Sequence, residues 1–121
     1  MAWKFNDASP IYAQIIENIK HLIINGTYKP GDKLPVVRDL AVEAGVNPNT
    51  IQRAFQDLER EELVKSDRTN GRYVTDNQEK IEELKKELSK KYINDLFKNL
   101  SQLGMNEKEI KKIINEWKGD N

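Results

Sequence analysis

Asn49, Gln52, Arg53 and Gln56 fall at helical spacing within the stretch VNPNTIQRAFQDLE, Val46 to Glu59. Their chemistry is that of nucleic-acid reading: an amide pairs with adenine, and a guanidinium with guanine, through two hydrogen bonds to one base edge. A solvated helix is more often covered with Glu and Lys pairs. The stretch opens on Asn47, a good N-cap, and Pro48, suited to the first helical position. Ile51, Ala54, Phe55 and Leu58 then make an apolar stripe, and with about 3.6 residues per turn Asn49, Gln52, Arg53, Gln56 and Arg60 lie on the opposite side. A solvated helix with an excess of amides would have the same composition, so the neighbouring elements must decide.

Other chemistry finds little support. The single histidine, His21, sits on the first helix without a set of carboxylates or cysteines at metal spacing, and the chain has no cysteine. There is no glycine-rich phosphate loop, no nucleophile elbow, and no pair of carboxylates outside helical charge runs. The expectation is a protein with no catalytic residues, no metal and no cofactor, and not an enzyme.

The elements around the quoted helix are punctuated clearly. Ser9 and Pro10 predict an N-cap and first turn, and Ile11, Ile15, Ile19, Leu22 and Ile23 continue a stripe until Asn25-Gly26, giving a helix from about Pro10 to Asn25. The segment GTYKPGDKLP has too much Gly and Pro to be helical. Val37, Leu40, Ala41 and Ala44 predict a helix of roughly two turns that Gly45 stops. Only three residues, Gly45 to Asn47, separate it from the next helix, the pattern of a helix-turn-helix. Beyond Glu62 the period changes: Leu63 to Ser66 and Arg72 to Thr75 read as strands, with Asn70-Gly71 as a two-residue hairpin turn. A hairpin directly after a recognition helix is a wing.

With these residues in place, PIYAQIIENI, GTYKPGDKLPVVRDLA, GVNPNTIQRAFQDLE and GRYV, in this order and spacing, resemble the DNA-binding domain of the GntR family of bacterial transcription regulators. The remaining 45 or so residues look like the short two-helix tail of the family's YtrA branch. The resemblance implies a dimeric winged helix-turn-helix repressor acting on a palindromic operator in double-stranded DNA. It also carries roles onto two positions. Arg38 matches the arginine of the family's Leu-Pro-Ser-x-Arg segment, which commonly contacts DNA, and Thr50 matches a threonine that commonly reaches a phosphate. Val36 replaces the usual serine, which removes a hydroxyl, and the wing sequence SDRTNGRYV has one glycine where the family tends to show Arg-Gly-x-Gly. The expected DNA-binding set is Lys33, Arg38, Asn47, Asn49, Thr50, Gln52, Arg53, Lys65, Arg68, Gly71 and Arg72.

Overall charge offers no basic field, since Lys plus Arg equal Asp plus Glu at 20 each. Residues 1–76 hold ten basic and eleven acidic side chains, so any positive face must be local. The fold would gather Lys33, Arg38, Arg53, Lys65, Arg68 and Arg72 near the groove, with Arg68 and Arg72 on the outer edge of the hairpin. Glu59, Glu61 and Glu62 would sit beyond the reading turns. The near-neutral balance keeps open an alternative function, a winged helix that serves as a protein-interaction module without sequence-specific DNA binding.

The tail has a different pattern. Ile81, Leu84, Leu88, Tyr92, Leu96, Leu100 and Leu103 form one stripe from about Asn77 to Gly104, and Asn106 with Glu109 predicts a capping box for a last helix bearing Ile110, Ile113, Ile114 and Trp117. Two such helices cannot bury this surface in each other, so a second copy is expected across a two-fold axis. The alternative is packing of the stripe on the chain's own winged domain. The architecture expected is mainly α: a winged helix-turn-helix domain at 1–76, with three helices and a small β-hairpin wing, then a two-helix dimerisation segment at 77–121. No run approaches the roughly 18 apolar residues of a membrane span, so no membrane partner and a cytoplasmic location are expected. A large internal effector pocket is hard to accommodate in so short a tail, although a ligand could still bind between subunits, and the sequence leaves any small-molecule effector unknown.

Overall fold

The computed structural model describes residues 3–67 and 71–119. Its order is α1 (Ile11–Ile24), α2 (Val37–Ala44), α3 (Pro48–Arg60), β1 (Val64–Asp67), β2 (Gly71–Val74), α4 (Gln78–Ser101) and α5 (Glu107–Glu116). It divides into two compact units, Met1–Glu83 and Leu84–Asn121.

In the first unit, α1 begins one residue later than the Ser9 cap predicts. Pro10 is extended, with φ −57° and ψ 147°, and its carbonyl accepts the N–H groups of Ala13 and Gln14. The Ser9 carbonyl accepts instead from the Gln14 side chain, which also bonds Asn6 through both its donor and its acceptor. α2 ends at Gly45, whose φ of 75° lets the Val46 N–H close on the Ala41 carbonyl. α3 is capped by Asn47, whose Oδ1 accepts from the Asn49 N–H at 2.8 Å. Its far end turns left-handed at Glu62, φ 63°, the one non-glycine residue with positive φ among those described. There the Leu63 N–H reaches the Leu58 carbonyl at 3.0 Å and the Glu62 N–H the Glu59 carbonyl at 2.9 Å.

The two strands are antiparallel, pairing Val64 with Val74 and Asp67 with Gly71. This register corrects the sequence expectation of a two-residue Asn70-Gly71 turn. Gly71 is a strand residue, and residues 68–70, outside the described set, lie between the strand ends. The α1–α2 connection adds an unforeseen third partner to the sheet. Gly31 and Leu34 donate to the carbonyls of Val74 and Arg72, while Val74 donates to Asp32. Because Gly31–Leu34 is pinned along β2, the hairpin is fastened to the helices by backbone as well as by core. That core is Ile15, Ile19, Leu40, Ile51, Phe55 and Leu58, all wholly buried, closed by Leu34, Val64 and Val74.

The first turn of α4 belongs to this unit: Ile81 is buried and Lys80 Nζ lies 3.5 Å from Glu62 Oε2. In the second unit α4 runs to Ser101, and Gly104, φ 87°, returns the chain. α5 starts from the capping box, Asn106 Oδ1 accepting from the Glu109 N–H and Glu109 Oε1 from the Asn106 N–H. Leu103 falls in the turn beyond α4 and Trp117 in the residue that caps α5, so neither continues a helical stripe. Among the described residues no helix is long and apolar enough to cross a membrane.

Candidate nucleic-acid interface

The outer face of α3 is set by what its inner face buries. Ile51, Ala54, Phe55 and Leu58 are sealed in the core, which leaves Asn49, Arg53, Gln56 and Arg60 exposed and Gln52 and Thr50 half-exposed at the margins. Arg53 has a neighbour that its own sequence stretch does not reveal. Its guanidinium carbon sits 3.6 Å from the centre of the Tyr12 ring on α1, a stacked geometry that restricts a long side chain. Tyr12 lies one residue into α1, on the flank of the outer face of α3, and only the spatial approach of α1 to α3 marks it. Asn47 is committed through its oxygen to the cap, so its amide NH2 is the end left over.

Around this helix the cations separate into two groups. Lys33, Arg38 and Arg53 are exposed and have no ion pair among the described residues. Arg38 stands in the first turn of α2, whose N-cap residue Val36 is exposed and forms no side-chain cap. The first N–H groups of α2 therefore have no side-chain cap, and the helix N-terminus adds its partial positive charge to that of Arg38. Lys33 bridges to Tyr73 by backbone, and its side chain runs past Gly71, where an added Cβ would stand 3.5 Å from Lys33 Cε.

The other cations are matched to acids. Lys65 Nζ is 3.4 Å from Asp76, with both groups largely exposed, so the pair is weak and leaves the ammonium available to another anion. Arg60 is 2.7 Å from Asp57, Lys20 3.1 Å from Glu61, and Arg72 is paired with Glu59. Arg72 departs from expectation. Instead of pointing off the outer edge of the hairpin, its guanidinium packs back on α3, pairing with Glu59, reaching Gln52 and lying over the Phe55 ring. The cause is the register, which places Arg72 opposite Ser66 and turns its side chain toward the helix. Glu59 likewise does not lie apart from the reading turns, since it neutralises this arginine. Arg68 and Asn70, expected in the wing, lie outside the described residues.

In the second unit the expected interface residues divide. Leu84 and Ile110 are already buried within the chain, as is Ile81 in the first unit, which removes all three from the surface offered to a partner. Leu88 and Leu100 are half-buried, and Tyr92, Leu96, Leu103, Ile113, Ile114 and Trp117 are exposed. Leu96, Leu100, Ile113, Ile114 and Trp117 line an apolar groove of about 360 Å³ between α4 and α5.

A short helix, a tight turn, a second helix with a polar outer face, and a hairpin packed against that helix define a winged helix-turn-helix, a DNA-binding class. Within that class the chain belongs to the gntR family of bacterial regulatory proteins, whose model matches residues 11–74. This is a family of transcriptional regulators and not of enzymes. The chain is 47% identical over 70 residues to the HTH-type transcriptional repressor YtrA of Bacillus subtilis, covering 58% of this chain and 54% of that protein. Among solved structures it is similar to a GntR family transcriptional regulator from Listeria monocytogenes, at a TM-score of 0.85 and 38% identity, over 94% of this chain and all of that one. It is also similar to the DNA-binding domain of AraR in complex with operator ORX1, at a TM-score of 0.56 and 30% identity, over 62% of this chain and 95% of that one.

Proposed function

We propose that the protein is a cytoplasmic repressor that binds a palindromic DNA operator as a homodimer. The observation that carries this reading is the amide- and guanidinium-rich outer face of α3, flanked by the exposed cations Lys33 and Arg38, which have no ion pair among the described residues. A major groove about 12 Å wide accepts one helix, and the first two turns of α3 present Asn49, Gln52 and Arg53 to base edges. Arg38, Lys33, Thr50 and Lys65 take phosphates and set register without reading sequence. Asn47 assists from the helix start, and Gly71 keeps the strand end slim where it nears the DNA.

Dimerisation follows from the apolar groove of the second unit. A second copy that supplies the same face covers both at once, as a two-fold interface requires. A dimer also carries two reading helices, one for each half of a palindrome, and helix-turn-helix dimers bind half-sites roughly 34–36 Å apart or multiples of that. Repression then needs no further chemistry, because an occupied operator excludes other proteins from that DNA. The similarity to YtrA, called a repressor, and to AraR, seen with its operator, supports both halves of the reading.

The pairing of several cations with acids favours one rival, a winged helix that docks on another protein. Selection of bound duplexes from a random pool, followed by footprinting of the winners, separates the two. The repressor reading expects an inverted repeat protected on one face of the DNA. Recovery of no enriched sequence would leave the protein-docking reading in its place.

A further inference from the structure

The wing and the recognition helix meet in a cluster that the expected roles do not use. Arg72 leaves β2 with its side chain only 20% exposed. Its Nε donates to Glu59 Oε1, its guanidinium carbon lies 4.9 Å from the centre of the wholly buried Phe55 ring, and its Nη1 donates to Gln52 Oε1 across a long 3.4 Å. An isolated glutamine amide can present either its oxygen or its NH2 in a given direction. Here the choice is made by the neighbour: arginine has donors only and stays charged, so the atom that faces it must be the oxygen. The flipped amide would set NH2 against N–H. Glu59 and Phe55 hold the guanidinium itself, so the oxygen is directed at a fixed group.

We propose that Arg72 is a positioning residue that orients the Gln52 amide and thereby sets which base Gln52 reads. With the oxygen held toward the wing, the NH2 is the end presented to the groove. Gln52 then acts as a donor and selects an acceptor edge, the N7 and O6 of guanine above all, and disfavours cytosine, whose major-groove edge offers a donor. Arg72 is neutralised by Glu59 and turned away from the backbone, so it contributes orientation and not phosphate binding. This inference rests on the DNA-reading function proposed above and refines one contact within it.

The test uses the full-length protein and its selected site. The base pair that Gln52 covers is located first, as the position where Gln52→Ala loses preference. Arg72→Met keeps a long side chain over Phe55 and removes every donor. The expected result is that guanine-over-cytosine discrimination at that one pair falls from roughly tenfold to about twofold, while preferences elsewhere and the slope of log affinity against log salt stay as they were. In a Gln52→Ala background, Arg72→Met should change nothing further at that pair. A uniform loss across sequences with the slope reduced by about one unit would overturn the proposal, because it would make Arg72 a phosphate contact. Should Arg72→Met fail to fold by circular dichroism, Glu59→Gln serves instead. It keeps a neutral acceptor but removes the charge that holds the guanidinium, and undiminished discrimination at that pair would count against the proposal. Failure of the native protein to prefer any sequence would be a different result, sinking the DNA-reading function itself.

Discussion

Ile15, Ile19 and Phe55 in the winged unit are wholly buried, whereas Leu96, Ile113 and Trp117 in the tail keep 43%, 48% and 74% of their surface exposed. Both sets sit on or at the end of amphipathic helices with comparable spacing of apolar residues. The difference lies in how many sides close around them. In the first unit α1, α2 and the hairpin all converge on α3, and each apolar stripe meets another. In the second, α4 and α5 are the two helices present, and a pair of helices leaves a groove. Periodicity thus states that a face has to be covered, without stating by what. In the tail the uncovered face is the argument for a second copy.

The largest effects should break that comparison if it is wrong. Phe55→Ala removes a ring from a closed core and should cost about 3–5 kcal/mol in denaturant unfolding of the winged unit. Trp117→Ala, the removal of a ring of greater size, should leave that unfolding nearly unchanged and raise the concentration at which copies associate. Equal destabilisation by the two would mean that Trp117 is part of a core after all.

A double change, Leu96→Lys with Ile113→Lys, sharpens the same point, because it places two ammonium groups in the apolar groove. Monomers are expected in sedimentation, with helical circular dichroism retained and operator affinity lowered by roughly a hundredfold through loss of the linked second half-site. A variant that still sediments as a dimer would place the interface elsewhere.

How much of this was legible in the sequence depended on the range of the interaction that decides each feature. α3 and α5 were readable because their signals are local: Asn47-Pro48 and the stripe beginning at Ile51 for one, the Asn106–Glu109 box for the other. The start of α1 was off by one residue, since whether Ser9 or Pro10 caps it turns on backbone angles. The hairpin was placed but its register was not. Strands of four residues carry too little alternation to fix pairing, and a slip of one residue changes the face of every side chain. The sequence therefore points Arg72 to the outer edge, whereas it packs on Gln52, Phe55 and Glu59. Nothing in the sequence marks Tyr12 as a partner of Arg53, because they are neighbours through tertiary packing alone. The charge count could not show which acids meet which cations for the same reason. Lys20 pairs with Glu61 across 41 positions, and no composition predicts that.

The smallest effect concerns a device that both units share. α4 leaves its helix through a left-handed glycine, Gly104 at φ 87°, while α3 makes the same kind of exit with Glu62 at φ 63°. A side chain in that region costs about 1–2 kcal/mol where glycine has no such cost. Glycine also has more freedom to lose on folding, which offsets part of the gain. Glu62→Gly further removes the exposed pair with Lys80 at 3.5 Å, worth at most about 1 kcal/mol. The three terms leave an expected stabilisation of up to about 1 kcal/mol, measured by denaturant midpoint at a fixed protein concentration because association also shifts stability. Glu62→Ala separates them: it keeps the Cβ strain but loses the ion pair, so it should fall slightly below the native protein as Glu62→Gly rises above it. If both variants are destabilised alike, the pair with Lys80 outweighs the backbone term. Glu62 would then be holding α4 to the winged unit instead of merely tolerating its turn.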